Sequence, residues 1–320
     1  MIWVLGAGAF GTALAITLSR GGRDVTLWAR DAGQALVLQD RRENLRHLPG
    51  AKLPPQMRVT ADLAGMAASM TALIALPAQA IVPFLADMRY KLADMALVAC
   101  CKGIDLTTLQ GPTDAIRHAV PTATPAVLTG PSFAVDLAKG LPTALTLACA
   151  DDARGVALQT ELSVLNLRVY LTPDVRGAEL GGAFKNVIAI AAGIATGAGL
   201  GESARAAVIA RGYAEMTRLA VALGARVETL AGLSGLGDLV LTCTSDQSRN
   251  FSCGVAIGAG KAALTGQTVE GISTAAATSR LAAQMGLDAP LIDAVAAVTQ
   301  GTISVDQAVQ TLLSRPLRQE

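Results

Sequence analysis

Aromatic residues and histidine are scarce in this chain of 320 residues. Phe, Trp and Tyr together make up 3% of it, and His47 and His118 are the only histidines. Two histidines give little support to a histidine-based zinc site or a Ser-His-Asp triad. The five cysteines are an odd number without a CxxC pair, so we expect them to be reduced and mostly buried. We expect no metal site, and any chemistry must be carried by other residue types.

The chain also lacks an excess of charge of either sign. Its 26 basic residues nearly cancel its 25 acidic ones, and the formal net charge is +1. Such a balance gives no electrostatic footprint for nucleic acid or for an anionic membrane. Any anion that the chain recognises must therefore be bound locally.

Long uninterrupted hydrophobic runs are missing as well, although 52% of the residues are hydrophobic. Pro77 and Pro83 divide the apolar stretch 69–87, and the stretch 187–200 is shorter than the roughly 20 residues of a membrane-spanning helix. No basic segment precedes the apolar N-terminus, as it would in a secretory signal. We expect a cytoplasmic protein without a membrane span.

Short apolar runs alternate with helical patterns in the first half of the chain. This alternation is typical of βαβ units around a parallel sheet. The predicted strands cover residues 2–5, 25–28, 71–76, 97–101, 126–128 and 144–149, and the clearest predicted helices cover residues 10–20 and 78–90. We predict an α/β domain of the Rossmann type, with a doubly wound sheet, over residues 1–173.

Long alanine-rich segments without strand-like runs follow from about residue 174. The predicted helices cover residues 179–196, 203–223, 252–264, 274–285, 291–299 and 305–313. Gly224 is suited to end the second of them, because helices often end just before a glycine. We predict an all-helical second domain over residues 174–320, since a chain of this length fits two domains of about 100–200 residues each.

Gly6, Gly8 and Gly11 form a G-x-G-x-x-G pattern between the first predicted strand and the first predicted helix. In this context the first glycine makes a tight turn, the second admits a pyrophosphate and the third lets the helix approach the strand. The helix N-terminus then faces the phosphates. A glycine-rich turn without a ligand is the alternative, but the strand before and the helix after it favour a nicotinamide dinucleotide.

The end of the second predicted strand indicates which dinucleotide is bound. A carboxylate there accepts a hydrogen bond from a free ribose 2′-hydroxyl, whereas this strand ends in Trp28, Ala29 and Arg30. An arginine without a carboxylate suits a 2′-phosphate, so NADP is favoured over NAD. The alternative is that Arg30 is an ordinary surface cation.

Lys185 is the only charged residue between Glu179 and Glu202, and it interrupts an apolar helical segment next to Asn186. A lysine can act as a proton donor to a ketone when burial or a neighbouring cation lowers its pKa. The alternative is a lysine whose ammonium group reaches the surface from the helix. The isolated Lys-Asn pair in an apolar setting favours a catalytic role.

A second group of polar residues follows a glycine-rich stretch that contains Gly235, Gly237 and Asp238. Its members are hydrogen-bond donors ahead of the next predicted helix: Ser245, Ser248, Arg249, Asn250 and Ser252. This composition is typical of anion binding. A polar loop with Ser252 as a helix N-cap would explain Ser252 but not the whole cluster.

The ordered set of these motifs resembles the bacterial NAD(P)-dependent sn-glycerol-3-phosphate dehydrogenases over essentially the full chain. The motifs are the glycine loop with Thr12, Cys-Lys-Gly-Ile at 101–104, Thr-Gly-Pro-Ser-Phe-Ala at 129–134, Ala-Phe-Lys-Asn at 183–186, residues 235–243, Ser-Arg-Asn at 248–250 and Val-Glu-Gly at 269–271. Such a set is far more specific than a glycine loop alone. Ala9, where the family often has serine, and Cys100-Cys101 before Lys102 depart from the pattern without removing a catalytic group.

The resemblance implies a 6-phosphogluconate dehydrogenase-like architecture and reduction of dihydroxyacetone phosphate to sn-glycerol 3-phosphate for phospholipid synthesis. It implies a cytoplasmic homodimer, with Lys185 as proton donor and Lys102 lowering its pKa. The implied catalytic residues are Lys185, Lys102 and Asp238. The implied substrate contacts are Lys102, Gly130, Ser132, Lys185, Asn186, Asp238, Thr242, Ser248, Arg249 and Asn250. The implied cofactor contacts are Gly6, Gly8, Ala9, Phe10, Gly11, Arg30, Lys102, Gly130, Ser132, Ala134, Arg249 and Glu270.

Two other functions remain open at the level of sequence. One is a β-hydroxyacid dehydrogenase of the same two-domain architecture, which also uses a helical lysine. The other is a dinucleotide-binding protein without catalysis. The Ser248-Arg249-Asn250 motif together with Asp238 argues against the first, and the presence of Lys185 and Asp238 argues against the second. Short-chain dehydrogenase chemistry is disfavoured, since Thr217 rather than lysine follows Tyr213 by four positions.

Overall fold

The computed structural model describes residues 1–261 and 269–316. Its strands are β1 (Ile2–Leu5), β2 (Val25–Trp28), β3 (Glu43–Asn44), β4 (Leu48–Lys52), β5 (Arg58–Thr60), β6 (Thr71–Ile74), β7 (Ala96–Ala99), β8 (Thr124–Thr129), β9 (Thr143–Cys149) and β10 (Leu167–Thr172). Its helices in the first part are α1 (Ala9–Arg20), α2 (Ala32–Arg41), α3 (Ile81–Met88), α4 (Pro112–Ala119), α5 (Ala134–Lys139) and α6 (Asp152–Leu162).

The helices of the second part are α7 (Val175–Gly197), α8 (Glu202–Ala222), α9 (Val227–Ala231), α10 (Asp238–Cys243), α11 (Arg249–Gly258), α12 (Glu270–Gln284), α13 (Pro290–Thr299) and α14 (Val305–Leu313). A short 3₁₀ turn, Ala78–Ala80, leads into α3, and a π-helical turn, Leu233–Gly237, leads into α10. The predicted combination of a Rossmann-type sheet and a helical second part is confirmed.

The sheet has the order β10-β9-β8-β7-β6-β1-β2-β5, while β3 and β4 form a separate antiparallel hairpin. All neighbouring strands of the large sheet are parallel except β8 and β9. Every residue of β1, β2, β6 and β7 is buried, as expected for parallel strands covered on both faces. The carboxyl ends of these central strands form the edge at which a Rossmann sheet binds its ligands.

The structure differs from the sequence-based expectation at several strands. β10 is not among the predicted strands, although its residues alternate between buried and exposed over Leu167 to Tyr170. The short strands β3, β4 and β5 are missing from the prediction as well. The direction of β9 also departs from the predicted parallel sheet, because β9 returns from α5 antiparallel to β8.

The long helix α7 forms the centre of the helical part. Asp174 caps its N-terminus by accepting from the Gly177 N–H at 2.8 Å, so α7 begins earlier than the predicted residue 179. α8, α11 and α12 pack around it. Gly224 has a φ of +92° and follows the end of α8, in agreement with the prediction.

α11 begins at Arg249, earlier than the predicted residue 252. Ser248 is its N-cap, because the Ser248 hydroxyl oxygen accepts from the Phe251 N–H at 3.2 Å. The alternative with Ser252 as N-cap is therefore wrong: Ser252 lies inside α11, where its hydroxyl donates to the Asp246 carbonyl. α11 ends at Gly258, so the predicted helix over residues 259–261 is wrong, and the predicted residues 262–264 lie outside the described residues.

α7 is the one helix of the described residues that is long and apolar enough to cross a membrane. Of its most apolar window, 89% is buried inside the protein. The core helix of a globular domain has this same composition, so its length and hydropathy are weak support for a membrane span.

Candidate active site

Asp238 lies between two lysines at the junction of the sheet and the helical part. Lys102 follows β7, at the carboxyl end of the sheet, and its Nζ is 2.6 Å from Asp238 Oδ2. Lys185 lies in the middle of α7, and its Nζ is 3.0 Å from Asp238 Oδ1. Asp238 is the first residue of α10 and its side chain is 1% exposed. The structure thus brings the three predicted catalytic residues into one ion-paired cluster.

Two further predicted residues hold the ammonium groups in place. Thr242 lies one turn after Asp238 on α10; its Oγ1 accepts from Lys185 Nζ at 2.6 Å and donates to the Asp238 carbonyl at 2.6 Å. Lys102 Nζ donates to the carbonyl of Gly130 at 3.0 Å. Gly130 follows β8 with a φ of +131°. Each ammonium group is therefore oriented by one carboxylate oxygen and one neutral acceptor.

The electrostatics of the cluster bring the pKa of Lys185 toward neutrality. Burial, the largest influence, lowers the pKa of Lys185 to about 8; Asp238 acts in the opposite direction, and the charge of Lys102 lowers it further. Burial alone would raise the pKa of Asp238, but Lys102 and Lys185 hold it below its usual value. A lysine with a pKa near 8 can give or take a proton at physiological pH. The alternative of a surface-reaching lysine is excluded, since Lys185 is 6% exposed.

A chain of amide hydrogen bonds ties the cluster to the surrounding elements. Asn186 Nδ2 donates to the Lys102 carbonyl at 3.1 Å, and Asn250 Nδ2 donates to Asn186 Oδ1 at 2.9 Å. Asn250 Oδ1 in turn accepts from the Gly271 N–H at 2.9 Å. Asn186 and Asn250 therefore join the loop after β7 to α7, α11 and α12, a supporting role that their sequence positions did not indicate.

Glu270, at the start of α12, connects the helical part to the loop after β6. Its Oε1 accepts from the Ala78 N–H at 3.2 Å. Burial raises the pKa of Glu270, while the Ala78 N–H and the charges of Arg249 and Lys102 act against this. Glu270 therefore lies within electrostatic range of both cations.

Arg249 is exposed at the start of α11. In residues 1–261 and 269–316 no carboxylate forms an ion pair with its guanidinium, whereas the two lysines of the cluster share Asp238. A guanidinium without a paired carboxylate is available for an anionic group of a ligand. Ser248, directly before it, is buried and fixed as a helix cap.

The glycine loop has the geometry that a dinucleotide requires. Gly6 has a φ of +123°, and a Cβ on Gly11 would lie 2.0 Å from the Gly6 carbonyl oxygen, so neither position accommodates a larger residue. A Cβ on Gly8 would meet nothing within 4 Å, which leaves the space above the loop open. α1 begins at Ala9 without a side-chain cap, so its N–H groups are free to bind phosphate. These features fit a bound nicotinamide dinucleotide.

The remaining predicted cofactor residues flank this loop or lie across the sheet from it. Phe10, in the first turn of α1, packs against the hydrophobic core. Arg30 is exposed directly beyond β2. Ala134 is the first residue of α5, and Ser132 Oγ donates to the Gly130 carbonyl at 3.4 Å in the connection after β8. Arg30 and Gly130 are therefore on opposite sides of β1 in the sheet order.

The cysteines near the site are not reactive groups. None of the five forms a disulfide bond and all are buried, as predicted. Burial raises the pKa of both Cys100 and Cys243 to about 12, so neither is a thiolate at neutral pH.

The sequence also matches known families and proteins. The profiles described as NAD-dependent glycerol-3-phosphate dehydrogenase N-terminus and C-terminus match residues 1–154 and 174–310. The glycerol-3-phosphate dehydrogenase [NAD(P)+] of Paracoccus denitrificans is 57% identical over 317 residues, with 99% of each chain covered. That of Cereibacter sphaeroides is 58% identical over 320 residues and covers all of both chains.

A solved structure gives the same result. The crystal structure of the glycerol-3-phosphate dehydrogenase from Coxiella burnetii superposes with a TM-score of 0.91 at 35% identity, covering 98% of each chain. The full-length matches confirm the resemblance drawn from the motifs. This chain, with its glycine loop and its buried Lys-Asp-Lys cluster, belongs to the NAD-dependent glycerol-3-phosphate dehydrogenase family of oxidoreductases.

Proposed function

We propose that the chain reduces dihydroxyacetone phosphate to sn-glycerol 3-phosphate with NADP or NAD, and that NADP is preferred. The observation that carries this proposal is the buried Lys185, whose ammonium group is held by Asp238 and Thr242. The same fold supplies a glycine loop open to a dinucleotide. The product is the backbone of glycerophospholipids.

Lys185 supplies the proton of the reaction. The nicotinamide, when bound, supplies a hydride to C2 of the ketone. Lys185 Nζ donates a proton to the oxygen that becomes the hydroxyl group, and it takes a proton from solvent before the next turnover. In the oxidative direction Lys185 accepts the proton of the substrate hydroxyl instead.

Lys102 and Asp238 keep Lys185 ready for this role. Asp238 attracts both ammonium groups, which holds Lys185 charged in a buried position. The positive charge of Lys102 lowers the pKa of Lys185 and stabilises negative charge on the substrate oxygen. Thr242 directs Lys185 Nζ through a fixed hydrogen bond.

The substrate phosphate binds at the start of α11. Arg249 provides a planar guanidinium for a charge-assisted bond to phosphate, and Ser248 and Asn250 flank it. Binding the phosphate there orients C2 toward Lys185, so that binding energy raises the rate. Gly130, Ser132 and Asn186 line the substrate on the side of the loop after β8 and of α7.

The cofactor would be held along the glycine loop, between Arg30 and the cluster. Its contacts are Gly6, Gly8, Ala9, Phe10, Gly11, Arg30, Lys102, Gly130, Ser132, Ala134, Arg249 and Glu270. Arg30 is the basis of the preference for NADP, since an exposed guanidinium beyond β2 suits a ribose 2′-phosphate. We further propose a cytoplasmic homodimer in which residues 1–173 bind cofactor and residues 174–320 complete the catalytic site.

The function is tested by following oxidation of NADPH and NADH separately, with dihydroxyacetone phosphate and with unphosphorylated dihydroxyacetone. We expect turnover of the phosphorylated ketone, with a higher kcat/KM for NADPH. Lys185→Ala should lower kcat by about 100-fold or more, the usual size of general acid catalysis. If dihydroxyacetone phosphate is turned over neither with NADPH nor with NADH, the assignment is refuted.

A further inference from the structure

The turn that connects β3 to β4, here called the 44–47 turn, is fixed to the glycine loop. Asn44 is buried with 1% exposure. Its Nδ2 donates to the Ala7 carbonyl at 2.9 Å and to Thr12 Oγ1 at 2.8 Å. Its Oδ1 accepts from the His47 N–H at 3.2 Å within the turn. Asn44 thus holds the 44–47 turn directly beside the loop and the first turn of α1.

The rest of the hairpin is braced as well. Glu43 accepts from the Gly50 N–H at 2.8 Å and forms an ion pair with Lys52. Arg42, directly before β3, donates to the Met57 carbonyl at 2.7 Å. These contacts fix the hairpin in one position, so the side chains of the turn need little ordering when a ligand arrives.

The tip of the 44–47 turn carries two side chains with N–H donors. Arg46 and His47 are exposed. Partial burial, the charge of Arg46 and the charge of Arg249 all lower the pKa of His47. The guanidinium of Arg249 is therefore within electrostatic range of the turn, although it belongs to the helical part. The side chain of His47 therefore lies near the charges of both Arg46 and Arg249, while Glu43, the carboxylate of the hairpin, is occupied by Lys52.

We propose that Arg46 and His47 form the second wall of the pyrophosphate site and bind the diphosphate of the dinucleotide opposite the glycine loop. This assignment rests on the dinucleotide binding proposed above. The glycine loop donates backbone N–H groups from one side; from the other, the side chains of Arg46 and His47 add hydrogen-bond donors, and Arg46 adds a positive charge. Asn44 is the positioning residue that holds this wall in place.

The position of the anchor identifies the phosphate group concerned. Ala7 and Thr12 belong to the loop and helix end that face the pyrophosphate in this fold. A ribose 2′-phosphate lies instead beyond β2, at Arg30, and the substrate phosphate is assigned to Arg249. The wall should therefore bind NADH and NADPH equally well, because both carry the same diphosphate.

The test compares the wild type with the double variant Arg46→Ala/His47→Ala by calorimetric titration with ADP, NADH and NADPH. We expect the Kd for all three to rise by a similar factor, about tenfold or more, as for the loss of charge-assisted hydrogen bonds. Arg41→Ala is the matched control, since Arg41 is an exposed arginine at the end of α2 and its loss should leave the three Kd values unchanged. The exposed positions of Arg46 and His47 leave the Tm unaffected.

The other outcomes overturn the proposal. An equal loss of affinity in Arg41→Ala would mean that general electrostatics, not the turn, holds the ligand. A larger loss for NADPH than for NADH would assign the turn to the 2′-phosphate. An unchanged Kd for ADP with a raised KM for dihydroxyacetone phosphate would assign it to the substrate. Failure of the wild type to bind any of the three nucleotides would overturn the proposed function itself, whereas equal binding by wild type and double variant overturns only this inference.

Discussion

Replacement of Asp238 by asparagine removes the one charge that Lys102 and Lys185 share. Lys185 Nζ is 3.0 Å from Asp238 Oδ1, and at this separation the attraction is about 5 kcal/mol for an effective dielectric constant of about 20. Asp238 raises the pKa of Lys185, against burial and the charge of Lys102. Asp238→Asn should therefore move the pKa of Lys185 below about 8, so that less of it carries a proton at neutral pH.

The kinetic consequence depends on pH. Ketone reduction needs the protonated form of Lys185, so in the wild type kcat should be constant below about pH 8 and fall above it. In Asp238→Asn this alkaline decline should begin at lower pH. We expect a loss of kcat of about 100-fold or more at pH 8, because each 1.36 kcal/mol of lost attraction is a factor of ten. The loss should become smaller toward pH 6.

The assay is kcat for NADPH oxidation with dihydroxyacetone phosphate from pH 6 to 9, with urea unfolding measured in parallel. Breaking a buried ion pair costs about 3–5 kcal/mol of stability. Thr242→Val is the milder second variant, since it removes the hydroxyl that accepts from Lys185 at 2.6 Å and should move the decline in the same direction. Asp114→Asn, which breaks an ion pair with Arg176 away from the cluster, is the control and should leave the profile unchanged. A loss of kcat that is the same at every pH would refute the reasoning.

Three further predictions concern separate parts of the molecule. At saturating cofactor, Arg249→Ala should raise KM for dihydroxyacetone phosphate by about tenfold or more, while turnover of unphosphorylated dihydroxyacetone stays the same. Equal effects on both ketones would count against a phosphate contact. Arg30→Ala should weaken the binding of NADPH more than that of NADH in fluorescence titrations. An equal change in both Kd values would remove the basis for the NADP preference. Glu215→Gln should lower stability in urea by about 1–3 kcal/mol, because Glu215 accepts from the N–H groups of Leu291 and Ile292 and an amide offers one acceptor oxygen; an unchanged midpoint would contradict this.

Several elements could be predicted because their signals are local. β1, β2 and α1 lie near their predicted bounds. A buried parallel strand has a short apolar run as its sequence pattern, and the glycine spacing defines the turn between β1 and α1. β10 carries a period-two pattern that is a usable but short signal. The antiparallel direction of β9 has no such signal, because the same apolar residues suit either direction.

The candidate site divides in the same way. Lys185 was recognisable from sequence because a lone lysine in an apolar helix must be paired or functional. Its ion-pair partner Asp238 was recognisable only through the resemblance, because the two residues are 53 positions apart in the sequence. The same holds for Lys102, which is 136 positions from Asp238. Asn44 gave no signal at all, because an asparagine among charged residues looks like part of an exposed turn.

The sequence by itself determined the glycine loop, the alternation of strands and helices and the change to a helical second part. These follow from short-range sterics and from the period of hydrophobic residues, which a few neighbouring positions specify. Tertiary structure alone decided which charges meet: the pairing of Lys102 and Lys185 on Asp238, the lowered pKa of Lys185 and the placing of Asn44 on the glycine loop. Burial and Coulomb interactions depend on distances between elements that are remote in the chain, and only packing of the sheet against α7 and α10 sets those distances.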